Sequence, residues 1–484
     1  MASIHPQGEA IVLGGSIAGL LAARVLSDHC AQVTLVERDH FPDGVEERKG
    51  VPQGKHIHTL LTRGHDILLH YFPDLDDALL ADGATLGDAA ESYRNYRFGK
   101  YWPRFHSGLA ANFQSRALLE TEVRRRVLAL PNVRTIEQAE GGALLPDAEH
   151  ARVTGVVINR KTPEPAEERL MGDIVVDATG RGSQTPKWLT AFGYLTPPEQ
   201  LIKMDLGYTS RVYRRKAVDW GGAHALLVGN NPPKGKRGGG IFQIEGDRWL
   251  VTLAGYLGDH APLDEPGFLA FARSLPAPDV YDAIKDAEPL GEIYLHRFPF
   301  SRRRHYEKLA RLPEGLIVMG DALCSFNPVF GQGMTVAALE AEALDGCLRN
   351  PPSAAKASVS GMRAGLTKQF FKTIAPLVDV PWSLASGADF RFPEVAGRRV
   401  CGAALLDQYM DRLVHAALSD NEIGLAFLEV VHLMRLPKTL FQPRMIARVL
   451  LARAPRNGTG AAAGKGRKDS VPPDSRLVEA PRGN

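Results

Sequence analysis

The segment Ala10–Asp39, AIVLGGSIAGLLAARVLSDHCAQVTLVERD, constrains the fold more than any other stretch of the chain. A short apolar run, Ala10 to Leu13, leads into Gly14-Gly15-Ser16-Ile17-Ala18-Gly19. A helical apolar pattern follows (Leu20, Leu21, Val25, Leu26), then a second apolar run that ends at Glu37 and Arg38. Strand, tight turn, helix, strand and acid, in that order and spacing, predict a β-α-β unit that binds a dinucleotide. Gly14 permits the sharp turn, and Gly19 lets the helix lie close to the sheet. The start of the helix presents free N–H groups and the positive end of its dipole to a pyrophosphate. Glu37 is placed to accept hydrogen bonds from ribose hydroxyls. Ser16 stands where a middle glycine is usual, so the backbone approaches a phosphate less freely, while its hydroxyl becomes an added donor.

The rest of the chain sets bounds on partners. Its 484 residues suggest about two or three domains. Net charge is +3, yet residues 451–484 alone hold seven Lys/Arg against three Asp/Glu. The body is therefore near neutral, and no nucleic-acid partner is expected. Cys30, Cys324, Cys347 and Cys401 show no metal-ligand or CxxC spacing, which points to a reduced, cytoplasmic setting and no metal. No signal peptide precedes the first strand, and no apolar run reaches the length of a bilayer.

Along the chain, Pro42, Gly44, Gly50, Pro52 and Gly54 mark an extended loop, and a helix carrying Leu60, Leu61, Ile67 and Leu68 is expected from about Lys55. Ser115 is the predicted N-cap of a helix whose inner face is Leu118, Leu119, Val123 and Val127. Val133 to Ile136, Thr154 to Ile158 and the run from Asp173 to Gly182 read as strands or strand ends. From Lys203 to His296 the pattern alternates, with a hairpin predicted around Glu245-Gly246-Asp247-Arg248. Leu316 to Met319 reads as a returning parallel strand, and Met334 to Leu348 as a helix. Beyond Lys368 come three amphipathic helical stretches, among them Ala404 to Leu418 and Asn421 to Met434, the latter capped by Asp420. From Arg453 onward, Gly, Ala, Pro and Lys without apolar periodicity predict disorder.

A second segment carries chemistry: Gly320-Asp321-Ala322-Leu323-Cys324-Ser325-Phe326-Asn327-Pro328-Val329-Phe330-Gly331-Gln332-Gly333-Met334. An aspartate at the end of a buried strand suits ribityl hydroxyls. Gly331 and Gly333 let backbone lie against a flat ring, and the helix after them aims its N-terminus at that ring. A reduced flavin is negative near N1, and such a helix end stabilises it. Two such motifs about 300 residues apart are far more specific together than either alone.

With these motifs the chain resembles the FAD-dependent monooxygenases of the p-hydroxybenzoate-hydroxylase-like superfamily, nearest the bacterial branch containing polyether-pathway epoxidases. The resemblance runs from about Glu9 to Pro455 and rests on GGSIAG with Glu37, RKGVPQGKHIH (Arg48 to His58), SRALLE (Ser115 to Glu120), VVDATGRGS (Val175 to Ser183) and GDALCSFNPVFGQGM. It extends more loosely to PWSLASGADFRFPEV (Pro381 to Val395). It implies an α/β fold: a Rossmann-like, GR2-type FAD-binding domain with an inserted antiparallel-sheet substrate domain and C-terminal helices. The expected division is 1–202 and 301–367 for FAD, 203–300 for substrate (with 72–110 shared), 368–452 helical, and 453–484 a disordered basic tail. By position, the resemblance places Arg48 near the phosphates and ribose, Val51 to Gln53 beside the isoalloxazine, and Arg116 at the ribityl phosphate. It places Asp177 to Gly180 along the nucleotide, Asp321 on the ribityl chain, and Gly331 to Met334, just after Pro328, at the pyrimidine edge. Oxygen insertion from a flavin C4a-hydroperoxide is the chemistry it implies.

Only one dinucleotide fingerprint occurs, so NAD(P)H is expected to dock transiently, or a partner flavin reductase supplies electrons. The segment DATGRGS stands where many aromatic hydroxylases carry a DG-type segment tied to the pyridine nucleotide. Tyr208, Arg211, Phe242, His296 and Phe326 are candidates for lining the pocket of a hydrophobic, secondary-metabolite-like substrate; no residue is assigned as acid or base. Two other functions fit the same motifs: an FAD-dependent reductase or dehydrogenase of an isoprenoid-like chain, and a cyclase with structural FAD. A halogenase is disfavoured by the absence of a WxWxIP segment. His56 and His58, two apart on the expected helix, face different ways and lack a third ligand. Cys324 reads as a small buried thiol, and Arg302-Arg303-Arg304-His305 as a solvated basic patch before a phosphate site. GAAAGKG (Gly460 to Gly466) lacks the strand and hydroxyl of a phosphate loop. The basic amphipathic run Arg444–Arg453 reads first as a helix packed on the body, with peripheral membrane docking as the alternative.

Overall fold

The computed structural model describes residues 8–162, 166–350, 365–399 and 402–452. The elements that build the site are, in chain order, β1 (Glu9–Leu13), α1 (Ile17–Ser27), β2 (Gln32–Val36), α2 (Arg116–Leu128), β3 (Ile174–Asp177), β4 (Glu199–Arg214), β5 (Arg237–Ile244), β6 (Arg248–Gly255), β7 (Tyr294–Arg304), β8 (Leu316–Val318), α3 (Gly333–Arg349) and α4 (Leu366–Asp389). A five-stranded parallel sheet runs in the order β8, β3, β1, β2, Val133–Ile136. β1 lies at its centre and is buried on both faces, which is why Ala10 to Leu13 is apolar throughout rather than alternating. α1 packs against α2 and α3 and is apolar nearly all round for the same reason.

Alternation governs the second sheet, eight-stranded, in which β7, β4, β6 and β5 are consecutive antiparallel neighbours. One face carries Tyr213, Trp249, Val251 and Ile241 into a satellite core with Phe268, Phe271 and Val280. The register sets Tyr208 opposite His296 and Ser210 opposite Thr252, on the other face. Tyr93–Arg97, from the stretch between the first unit and α2, joins this sheet in parallel with Ala225–Val228. The hairpin predicted around Glu245 to Arg248 is the β5–β6 turn.

At the C-terminal end α4, with Pro376 and Pro381 inside it, is followed by the helices Ala403–Ala417, Asn421–Val431 and Pro443–Leu451. The last three share a small core of Leu413, Ala417, Ile423, Val430, Leu440 and Val449. Asp420 caps its helix as expected, accepting from the N–H groups of Glu422 and Ile423, and Ser115 caps α2 through Leu118 N. The basic run from Arg444 packs through Val449 while exposing Leu450 and Leu451. Among the described residues no helix is long and apolar enough to cross a membrane. The tail 453–484, with GAAAGKG, and Cys401 lie outside the described residues.

Two readings of the sequence are corrected. The helix expected from Lys55 starts at Thr62; Pro52–Lys55 is a single 3₁₀ turn, and no helix covers His56 to Leu61. Tertiary anchors explain this: Ile57 N donates to Thr252 Oγ1 at 2.9 Å and Leu61 N to Thr335 Oγ1 at 3.2 Å, so the backbone is claimed by neighbours before a helix can form. Arg302 to Arg304 are not a solvated patch. Arg303 is 2% exposed, pairing with Asp379 and Ala375 O, and Arg304 is 4% exposed, bonding Glu199 Oε1 at 2.9 Å and Ala322 O at 2.7 Å.

Candidate functional site

The turn between β1 and α1 has the geometry a phosphate cradle needs. Gly14 has φ +99°, and a Cβ there meets Ala178 O at 2.5 Å; one on Gly19 meets Gly14 O at 1.7 Å. Both positions therefore exclude any side chain. Ser16, the N-cap of α1, makes no capping bond of its own. Its hydroxyl donates instead to Glu120 Oε2 at 2.6 Å. Glu120 comes from α2 and sits among cations: Arg48 Nε donates to its Oε1 at 3.0 Å, and Arg116 Nη2 to its Oε2 at 3.2 Å. A buried carboxylate held at a helix start by a hydroxyl and two guanidiniums is an anion in a phosphate's setting. Burial works against its charge, yet Arg116, Arg48 and Ser16 keep the Glu120 carboxyl below its ordinary pKa. The same pairing with Glu120 and Glu37 outweighs the burial of Arg48 and raises its pKa.

Capacity for a larger anion remains. Among the described residues, Arg48 Nη1 and Arg116 Nε are buried donors without a hydrogen-bond partner, although Arg48 Nη1 lies 3.2 Å from Glu37. Glu37 Oε2 accepts from Gly15 N at 2.7 Å and Oε1 from Asp39 N at 2.9 Å; a carboxylate has lone pairs left for ribose hydroxyls. Beyond the end of β2, Arg38, Asp39, Arg48, Gln138 and Lys161 line a cavity of about 470 Å³. Arg48, Val51, Gly54, Arg116 and Glu120 line a narrow cleft beside it.

The second motif meets the first in space. Gly320–Ala322 forms a 3₁₀ turn after β8, and a Cβ on Gly320 meets Ala18 Cβ at 2.8 Å. Gly180, at φ +76°, stands beside the Asp321 side chain. Burial raises the Asp321 pKa while the charges of Arg181, Arg116 and Arg302 pull it back, and the carboxylate forms no hydrogen bond among the described residues. It is a free acceptor. Gly331 adopts φ +62°, and a Cβ on Gly333 meets nothing within 4 Å. The first turn of α3 thus opens onto space, with Gln332 as its N-cap and Met334 buried. Gly320 N donates to Glu340 Oε2 at 2.6 Å, and burial pushes that carboxyl up to about 8. Pro328 begins the 3₁₀ turn before Gly331, Val51 is buried at the start of the Pro52 turn, and Gln53 is exposed. These residues fit FAD: anion donors at one helix start, a free carboxylate between, and unobstructed backbone at the other helix start.

Asp177 departs from expectation. Its carboxylate is 0% exposed and accepts from Thr179 Oγ1, Ser183 Oγ and Thr185 Oγ1, each at 2.5 Å, and Thr179 N at 2.9 Å. It braces the turn after β3. The pocket candidates divide by strand parity. Tyr208 and His296 share a face with His56, whose ring lies 6.1 and 5.8 Å from theirs. Phe242 shares that face, in a small cluster with Phe113 and Tyr93. Arg211 is one residue out of phase: it bonds Gly291 O at 2.8 Å and approaches Glu265 at 3.4 Å on the opposite face. Phe326 packs into the main core toward Trp382. Cys324 is a buried free thiol whose pKa burial raises.

His56 Nδ1 bonds Ser210 Oγ at 2.7 Å, which bonds Thr252 Oγ1 at 2.6 Å. Burial, then His296 and Lys55, lower the His56 pKa to about 3, so it is neutral. Among the described residues no cluster of His, Cys, Asp or Glu is arranged to hold a metal. The sequence reading passed over Glu120, Ser210, Thr252, Asn327 and Asp389. Glu120 had a signal: it shares a helix face with Arg116, Leu119 and Val123, so it had to be a buried acid. The others meet only through tertiary structure.

No family model matches the chain. Protein Rv3254 of Mycobacterium tuberculosis is 34% identical over 402 residues, 80% of this chain and 81% of that protein. The flavin-dependent brominase Bmp2 superposes with a TM-score of 0.62 at 13% identity, over 91% of this chain and 96% of that one. PqsL of Pseudomonas aeruginosa, described as a probable FAD-dependent monooxygenase, gives 0.56 at 16% identity over 79% and 97%. The chain belongs to the family of Protein Rv3254 and has the fold of the flavin-dependent brominase Bmp2 and of PqsL.

Proposed function

We propose that this protein is an FAD-dependent monooxygenase that inserts one atom of O2 into a hydrophobic small molecule. The observation that carries the reading is the pairing of an anion-holding start of α1 with an unobstructed start of α3, joined by the free carboxylate of Asp321. Arg48, Arg116 and Ser16 bind the pyrophosphate, exchanging part of their hold on Glu120 for it. Asp321 takes ribityl hydroxyls. The N–H groups at the start of α3 stabilise negative charge on the ring's pyrimidine edge. FAD supplies, when bound and reduced, the activation of O2. The chain's own task is then to hold the substrate over the ring, keep water out, and leave neutral groups such as His56 nearby.

Epoxidation of an alkene is the finer reading, supported by the sequence resemblance to polyether-pathway epoxidases, with aromatic hydroxylation as the other outcome. NAD(P)H docking transiently, or a reductase, supplies electrons, in keeping with the single fingerprint. The test is flavin titration followed by oxygen uptake with NADH, NADPH or a general flavin reductase. The expected result is a yellow protein that binds FAD stoichiometrically and consumes O2 once reduced. A colourless protein that takes up no added FAD overturns the proposal.

A further inference from the structure

The three helices after α4, namely α5 (Ala403–Ala417), α6 (Asn421–Val431) and α7 (Pro443–Leu451), leave several large apolar side chains outside the small core they share. Leu405 is 74% exposed, Leu450 50% and Leu451 80%, with Phe441 at 37%. One face of α5 gathers them. Leu405, Tyr409 and Arg412 stand at i, i+4 and i+7 on that face. The Tyr409 hydroxyl donates to Leu440 O at 2.6 Å, and its ring lies 5.0 Å from that of Phe441. One turn on, Arg412 Nη2 donates to Leu450 O at 2.7 Å. The leucines at the start of α5 and at the end of α7 therefore share one surface with Phe441.

Charge on this surface has one sign. Every acid between 402 and 452 is paired with an arginine: Asp407 with Arg399, Asp411 with Arg391, Asp420 and Glu422 with Arg448, and Glu429 with Arg435. Arg412, Lys438 and Arg444 are exposed and have no acidic partner among the described residues. Arg444 lies two turns before Leu451 on the same side of α7. Directly after Ala452 the sequence continues into residues 453–484, with seven Lys/Arg against three Asp/Glu.

We propose that this surface docks on a membrane with anionic headgroups. Leu405, Phe441, Leu450 and Leu451 enter the interface, while Arg412, Lys438 and Arg444 meet headgroup phosphates and carboxylates. Apolar side chains leave water and cations meet a negative surface; each contribution is weak alone, and together they hold a reversible association. A second copy fits less well, because a two-fold contact sets Arg412, Lys438 and Arg444 against their own equivalents. The helices also join this surface to the eight-stranded sheet. Phe98 and Trp102, on either side of its edge strand Lys100–Tyr101, pack on His415 and Phe427 with ring separations of 5.3 and 5.7 Å. Docking thus holds that sheet close to lipid, into which an apolar compound partitions. This advantage rests on the proposed function; the docking itself does not.

The test is co-sedimentation of the full-length protein with vesicles of phosphatidylcholine, alone or mixed with phosphatidylserine. The expected result is about tenfold stronger binding to the mixed vesicles, weakened severalfold by high salt. Leu450→Glu/Leu451→Glu should lower that binding by about tenfold or more, and Lys438→Glu/Arg444→Glu should remove the preference for anionic vesicles. All four side chains are exposed, so circular dichroism and melting temperature should stay as in the wild type. Equal binding to both vesicles, absence of binding, or undiminished binding by the leucine variant overturns the proposal. So does a dimer seen by light scattering without lipid that the leucine variant splits, since the patch is then an interface between copies. FAD stoichiometry on the same samples is a separate readout: its loss strikes the proposed function and not the docking.

Discussion

α1 and α3 pack against each other, and the Gly320 turn after β8 lies on Ala18, yet the starts of the two helices are prepared for ligand in opposite ways. At α1 the place for an anion is filled by the protein's own Glu120, clasped by Ser16, Arg48 and Arg116. At α3 a Cβ on Gly333 meets nothing within 4 Å, and the Asp321 carboxylate has no hydrogen bond among the described residues. On the proposed reading, the phosphate end is an electrostatic exchange, in which binding substitutes one anion for another. The ring end is a matter of shape and one free acceptor. Charge at the first end has to be balanced before the cofactor arrives, because two buried guanidiniums without a counter-ion are costly. A neutral, flat ring imposes no such requirement.

Substitutions can break this contrast, beginning with the most severe. Gly19→Val forces a Cβ into Gly14 O at 1.7 Å, a backbone clash. It should cost more than about 4 kcal/mol and leave little soluble folded protein, as judged by expression and circular dichroism. Glu120→Gln comes next. Removing one partner of a buried ion pair should destabilise the flavin-free protein by about 3–5 kcal/mol in urea unfolding, and the flavin-loaded protein by much less. Equal losses in the two states would end the exchange picture. Asp321→Ala should leave folding intact and weaken FAD by about 1.5–3 kcal/mol, measured by flavin fluorescence titration.

A pH experiment sharpens the ring end. Glu340 is protonated in the fold until about pH 8, whereas an exposed glutamate ionises near 4.5. Between those values the folded state holds a proton that the unfolded chain has lost, so Glu340 makes stability fall as pH rises through that window. Glu340→Gln should flatten the decline between pH 5 and 8 in thermal melts; an unchanged slope would remove Glu340 from the account. The smallest effect is expected on the far face of the sheet, where Arg211→Ala should cost less than about 1 kcal/mol and leave flavin binding unaltered.

The β-α-β unit was legible because its requirements are local: a turn only glycine can make, a helix apolar nearly all round, and a strand apolar from Ala10 to Leu13. The hairpin at Glu245 and the caps Ser115 and Asp420 were legible for the same reason. The helix misplaced at Lys55 shows the limit, since Thr252 and Thr335, both distant in sequence, take the N–H groups that a helix would have used. Arg211 shows another. Its chemistry suited a site, but strand parity, set by the pairing register with β6 and β7, sends it to the other face.

Sequence alone determined that this chain winds a dinucleotide-type crossover and ends a later strand in an acid and a glycine loop, because those features depend on neighbours a few residues away. Only the tertiary structure decided that Glu120 is clasped by Ser16, Arg48 and Arg116, that Asp177 is a brace, and that Asp389 meets Asn327. Those facts depend on which buried charges and hydrogen-bonding groups find one another across hundreds of residues, and burial makes every such match or mismatch expensive.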